Sequence, residues 1–102
     1  MFVEIKFATD SLEEARKIGN ILLDKKLVAC AQIFAIESHY VWNNERCKTD
    51  EYMVTMKTKR KLFKMVEKVI KENHSYEVAE IISLPIKNGA KEFFRWIKDS
   101  TI

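Results

Sequence analysis

A histidine, a tyrosine and two glutamates crowd the stretch HSYEVAEIISLP, residues 74–85. His74, Tyr76, Glu77 and Glu80 are side chains that can ligate a metal, move a proton or line a polar pocket. The soft ligands elsewhere are His39, Cys30 and Cys47. No pair among them has zinc-finger or HExxH spacing. Cys30 sits in VACAQI, which reads as a buried strand where a lone cysteine behaves as a small hydrophobe. No GxSxG and no glycine-rich phosphate loop occurs, and nothing in the sequence activates a Cys30–His74 pair. The chain is therefore not expected to be an enzyme.

Glu80 raises the sharper question. If 77–86 is one strand, alternation puts Tyr76, Val78, Glu80, Ile82 and Leu84 on one face and Glu77, Ala79, Ile81 and Ser83 on the other. A carboxylate in register with apolar neighbours needs a partner. Lys57 is a candidate. Two readings stay open: a ligand pocket that includes Tyr76 and Glu80, or a structural ion pair at a strand entry.

The elements that must position these groups follow from periodicity. FVEIKFAT (2–9) alternates as a strand. Ser11 and Glu14 then fit a capping box, and Leu12, Ala15, Ile18, Gly19, Leu22 and Leu23 share one helical face. LVACAQIFAIESHYVW (27–42) and ERCKTDEYMVTMKTK (45–59) read as two long strands around an Asn43–Asn44 turn. Symmetric pairing about that turn sets Cys47 opposite Tyr40 and Cys30 opposite Lys57, so no disulfide forms within one chain. RKLFKMVEKVIKEN is a helix burying Leu62, Met65, Val66, Val69 and Ile70. The strand EVAEIISLPI and a short amphipathic helix with Phe93, Trp96 and Ile97 close the chain.

The order is one α+β domain over 1–102: a ferredoxin-like βαββαβ plait with a long β2–β3 hairpin and an extra C-terminal helix. Arms of about 15 residues reach near 50 Å at roughly 3.3 Å per residue. A globule of this size has a radius of gyration of about 13 Å. The hairpin should overhang its own domain, with Ile36, Tyr40, Val41 and Trp42 still to cover. Other copies of the chain are the simplest cover; a bend or bulge folding it back is the alternative.

Composition excludes several classes. No apolar run reaches the roughly 20 residues of a membrane span. MFVEIKFATD carries Glu4 and Lys6, unlike a secretory leader, so a cytoplasmic protein with reduced thiols is expected. The net charge of +3 is mild. Lys61, Lys64, Lys68 and Lys71 recur along one helix face, but Glu67 and Glu72 intersperse and the third strand lacks an RNP1 pattern. No nucleic acid is expected.

Taken together, LVACAQI, SHYVWNNE, MKTKR, HSYEVAEIISLPI and the terminal FFRWI resemble the divalent-cation tolerance family, CutA, over essentially the whole chain. The family pattern is matched by Leu27, Ala29 and Cys30, by Tyr40 and Trp42, by Lys57 and Thr58, by His74, Tyr76 and Glu80, and by Trp96. Two prolines of its signature are Ser75 and Ala79 here, and the usual turn glycine is Asn44. The resemblance implies a homotrimer whose hairpins pair across interfaces, similar to PII signalling proteins. It also implies a non-enzymatic role in metal tolerance, with a divalent metal such as Cu(II) held by Cys30 and His74. The rival implication is a PII-like sensor or scaffold. Such a protein takes a small anionic ligand in a cleft near Lys57, Tyr76 and Glu80, with Trp42 a further cleft candidate.

Overall fold

The computed structural model describes all of residues 1–102. Its elements are β1 (Phe2–Thr9), α1 (Leu12–Asp24), β2 (Cys30–Trp42), β3 (Glu45–Lys59), α2 (Phe63–Asn73, entered through a 3-10 turn at Arg60–Leu62), β4 (Ile81–Pro85) and α3 (Lys91–Ser100). The four strands form one sheet in the order β2-β3-β1-β4, with every neighbouring pair antiparallel. This is the ferredoxin-like plait, with the expected C-terminal helix.

Alternation divides the sheet into two faces. Val3, Ile5 and Phe7 of β1 and Val54 and Met56 of β3 point to one side and are buried. There they meet Ala15, Ile18 and Leu22 of α1 and Leu62, Val66, Val69 and Ile70 of the α2 segment, and together they form the core. Gly19 lets α1 approach β2 closely: a Cβ there would lie 3.3 Å from that of Ala31. Leu23 and Met65, expected on these apolar faces, are exposed. Each sits about 100° around its helix from a buried neighbour, Leu22 or Val66, at the flank of the stripe.

Local rules set the ends of α1. The Ser11 hydroxyl accepts from the Glu14 N–H at 3.0 Å. At the other end Lys26 takes φ 57°. The Leu27 N–H then reaches the Leu22 carbonyl and the Lys26 N–H the Leu23 carbonyl, both at 3.0 Å, as a Schellman ending requires. The segment after it is buried rather than stranded. Leu27 and Val28 are core residues, and the Thr58 hydroxyl donates to the Leu27 carbonyl at 2.6 Å. β2 therefore begins at Cys30, three residues later than the sequence pattern suggests.

The hairpin closes as expected through Asn43 (φ 52°) and Asn44 (φ 66°), both left-handed, the signature of a two-residue type I′ turn. Its register runs without a bulge from Trp42↔Glu45 to Cys30↔Lys57, and Tyr40 does oppose Cys47. β1 ends at Thr9 opposite Tyr52, so Ile36–Trp42 and Glu45–Glu51 pair only with each other beyond it. The overhang stretches the molecule to 44 × 26 × 21 Å.

The other sheet face carries no α1 or α2. α3 crosses only its lower end, where Phe94 stacks on Phe2 at 5.0 Å and Lys59 donates to the carbonyls of Thr101 and Ile102. Ile97 is buried, whereas Phe93 and Trp96 pack on each other and remain exposed. Phe34, Tyr40, Trp42, Ile82 and Leu84 are large exposed apolar side chains on this open face.

Candidate functional site

The 74–80 segment is not the start of a strand. β4 begins at Ile81, so the alternation drawn through Tyr76 and Glu80 does not hold, although Ile82 and Leu84 do share the open face. The physical reason lies in His74. Its Nε2 sits 2.7 Å from the Ala8 carbonyl, and its Nδ1 is 3.0 Å from the Tyr76 N–H. A carbonyl only accepts and an N–H only donates, so Nε2 carries the proton and Nδ1 is bare. The ring occupies the end of β1 just past the last ladder pair, Phe7↔Ile81, and turns the chain aside.

Around it lies a compact polar cluster. The His74 side chain is 1% exposed and stands edge-on to Phe7 and Tyr76. Glu14 accepts from the Thr9 hydroxyl at 2.6 Å and from Ser75 at 3.3 Å. Burial acts to raise the Glu14 pKa, but the hydrogen bonds from Thr9 and Ser75 outweigh it and hold the carboxyl below its ordinary 4.5. Thus Ser75, which replaces a family proline, contributes a hydrogen bond instead of rigidity. Glu14 satisfies Thr9 rather than closing the second half of a capping box.

Tyr76 reaches across the end of the sheet. Its hydroxyl donates to Glu51 at 2.7 Å. Burial first, and then this bond and the charge of Glu51, push the phenol well above its ordinary 10.0. Glu51 is itself buried, 8% exposed. Beyond this pair opens a cleft of about 850 Å³ between the overhanging hairpin and the 74–80 segment. Tyr40, Trp42, Glu51, Tyr76, Glu77 and Glu80 are among its lining residues.

The sequence-derived candidates divide accordingly. Trp42, Tyr76 and Glu80 meet in one cleft. Lys57 does not join them. It lies at the far end of β3, where its ammonium is 3.3 Å from Glu4 and donates to Gln32 at 2.8 Å. Glu80 is exposed and forms no ion pair, so it is not the strand-entry salt bridge that the sequence allowed. Glu51 is the residue that sequence reasoning missed. Its only signal was a glutamate on the same strand face as Met53 and Thr55, and its importance depends on contact with Tyr76.

A metal finds no ready-made cage in one chain. No three His, Cys, Asp or Glu side chains converge. Both His74 nitrogens are committed. Cys30 stands level with Lys57 and Glu4, while His74 bonds Ala8, four residues and about 13 Å further along β1. Cys30 and His74 therefore cannot hold one ion within one chain. Cys30 is also partly exposed rather than buried, and both cysteines are free thiols. Alternation places both on the open face.

These features define a class: ferredoxin-like domains with an over-long central hairpin, an uncovered sheet face and a cleft under the hairpin. Comparison with known proteins makes this more specific. Residues 4–100 match the model of the CutA1 divalent ion tolerance protein family, and the chain belongs to that family. The divalent-cation tolerance protein CutA of Archaeoglobus fulgidus is 38% identical over 96 residues, covering 94% of each chain. The chloroplastic CutA of Arabidopsis thaliana is 34% identical, and the match covers 87% of this chain but 50% of that longer protein. Among solved structures, one described as the periplasmic divalent cation tolerance protein CutA of A. fulgidus superposes with a TM-score of 0.96, covering 98% of both chains at 38% identity. The divalent cation tolerance protein of Thermus thermophilus superposes with a TM-score of 0.95 at 31% identity, covering 99% of both chains.

Proposed function

We propose that this chain is a non-enzymatic, homotrimeric, cytoplasmic protein that binds a divalent metal, Cu(II), and contributes to metal tolerance. The observation that carries the metal role is the full-length likeness to proteins named for divalent-cation tolerance. Self-association is supported by the open face, which leaves Phe34, Ile82 and Leu84 without cover, and by the unbulged overhang. Metal ligation, in this reading, draws on more than one copy. Cys30 and Cys47 lie on the face that association would bury, and thiolates suit copper and zinc. His74, both of whose ring nitrogens are hydrogen-bonded, is assigned in this reading to holding the cleft segment.

Titration of Cu(II) and Zn(II) into wild type and into Cys30→Ala, Cys47→Ala and His74→Ala tests this. The expected result is weaker copper binding in Cys30→Ala and wild-type affinity in whatever fraction of His74→Ala remains folded. Unchanged affinity in both cysteine variants would remove the thiol ligands. Wild-type protein that takes up neither metal would overturn the metal role itself.

The cleft favours a second reading, in which it binds a small organic ligand. Its lining contains no lysine or arginine, so the small anion expected from the sequence has no counter-charge there.

A further inference from the structure

We propose that His74 and Glu14 form an acid-operated latch on the 74–80 segment: a second proton on the His74 ring takes Nδ1 from the Tyr76 N–H, turns it to Glu14 and frees the segment. This device goes beyond the metal and small-ligand readings and depends on neither. The first ground is hydrogen-bond geometry. Nε2 donates to the Ala8 carbonyl at 2.7 Å, so Nδ1 is the bare nitrogen that accepts from the Tyr76 N–H at 3.0 Å. None of the backbone–backbone hydrogen bonds outside the helices and strands involves residues 75–80. The segment is held through side chains instead: His74, Glu14 on Ser75, and Glu51 on the Tyr76 hydroxyl. A protonated imidazole has two donors and no acceptor, so it cannot keep the Tyr76 N–H. Glu14 Oε2 stands 3.8 Å from Nδ1, too far for a hydrogen bond now and within reach of a small ring movement.

The second ground is what surrounds the ring. The His74 side chain is 1% exposed, and a charge buried to that degree needs a partner. Glu14 is that partner. Its carboxyl is held below 4.5, so it stays ionised over the range in which histidines take up a proton. The other neighbours do not compete for the role. β1 presents the Phe7 ring and the Ala8 carbonyl, and β3 presents Glu51 only behind Tyr76. On the α2 side a cavity of about 400 Å³ borders His74, Glu67, Lys71 and Glu77, and there Lys71 is paired to Glu67 at 3.3 Å. That cavity gives a proton its way to the ring. Every group in the latch belongs to one chain, so it does not require the open sheet face to be free.

The test is amide hydrogen exchange on the intact protein, read residue by residue by NMR between about pH 7.5 and pH 5 and corrected for the intrinsic exchange rate. Protection of the Tyr76 amide should fall about tenfold as its one hydrogen bond is lost, while Ile5, Phe7 and Val54 in the core keep theirs. The His74 ring nitrogens should pass from one protonated to two over the same range. His74→Asn keeps an acceptor near the Nδ1 position but takes up no proton, so Tyr76 protection should no longer respond to pH. Glu14→Gln removes the partner of the charged ring and should move the release to lower pH. His39→Asn changes the other histidine and should leave the release where it is. The proposal is overturned if Tyr76 protection is constant across this range, or if core amides lose protection together with it, which marks acid unfolding of the whole domain. Release that persists in His74→Asn, or that disappears in His39→Asn, also overturns it. Should His74→Asn fail to fold, Glu14→Gln decides: a release at the wild-type pH refutes the latch.

Discussion

His74 shows how a residue suited to chemistry can be used for architecture. Its ring donates to Ala8, accepts from Tyr76 and packs edge-on against Phe7, so it ties α2, the end of β1 and the cleft segment together. His74→Ala leaves two backbone groups without partners, and a loss of about 2 kcal/mol or more is expected in urea unfolding. Two neighbours give pH signatures of opposite sign. The Glu14 pKa is lowered in the fold, so its stabilisation is present above about pH 4.5 and is lost as pH falls through the folded value. Glu14→Gln should be less stable than wild type at pH 7 and show a flatter acid limb. The Tyr76 pKa is raised, so its contribution is intact below about pH 10 and is lost as pH climbs beyond it. In Tyr76→Phe that alkaline loss should shrink, as read from melting temperature against pH.

At the scale of elements, the ends carry the information. α1 stops on Lys26 at φ 57°, a left-handed position that costs a non-glycine residue roughly 1 kcal/mol. Lys26→Gly keeps both Schellman hydrogen bonds and should raise stability by about 0.5–1 kcal/mol, measured by chemical denaturation. The Asn43–Asn44 turn fixes the register of the whole hairpin, because a two-residue type I′ loop leaves one pairing. That pairing was legible in the sequence for this reason. The start of β4 was not. An apolar-polar alternation continues back to Glu77, but a strand needs a neighbour to pair with, and His74 blocks the end of β1.

For the whole molecule, the decisive feature is the mismatch between hairpin and domain. The unbulged ladder runs past Thr9 without a neighbour, and the sheet's open face keeps Phe34 of the edge strand β2 at 49% exposure. Sedimentation equilibrium should give the mass of three chains. Phe34→Glu sets a charge on that face and should shift the protein to smaller species while leaving the core residues between sheet and helices undisturbed. A wild-type monomer at micromolar concentration would remove both the trimer and the shared thiol site.

By itself the sequence determined the order of elements, the cap of α1, and the turn and its register. All of these rest on short-range rules: periodicity, capping chemistry and two-residue turns act between residues close in the chain. The tertiary structure decided which partners those residues meet. It gave Lys57 to Glu4 and Gln32, left Glu80 unpaired at a cleft, and paired Tyr76 with Glu51, 25 residues away in sequence. Such contacts depend on how the sheet's end, the hairpin and the loop converge in space. No local pattern encodes that convergence, so HSYEVAEIISLP showed reactive residue types while the fold determined that its histidine is a brace and its glutamate a cleft wall.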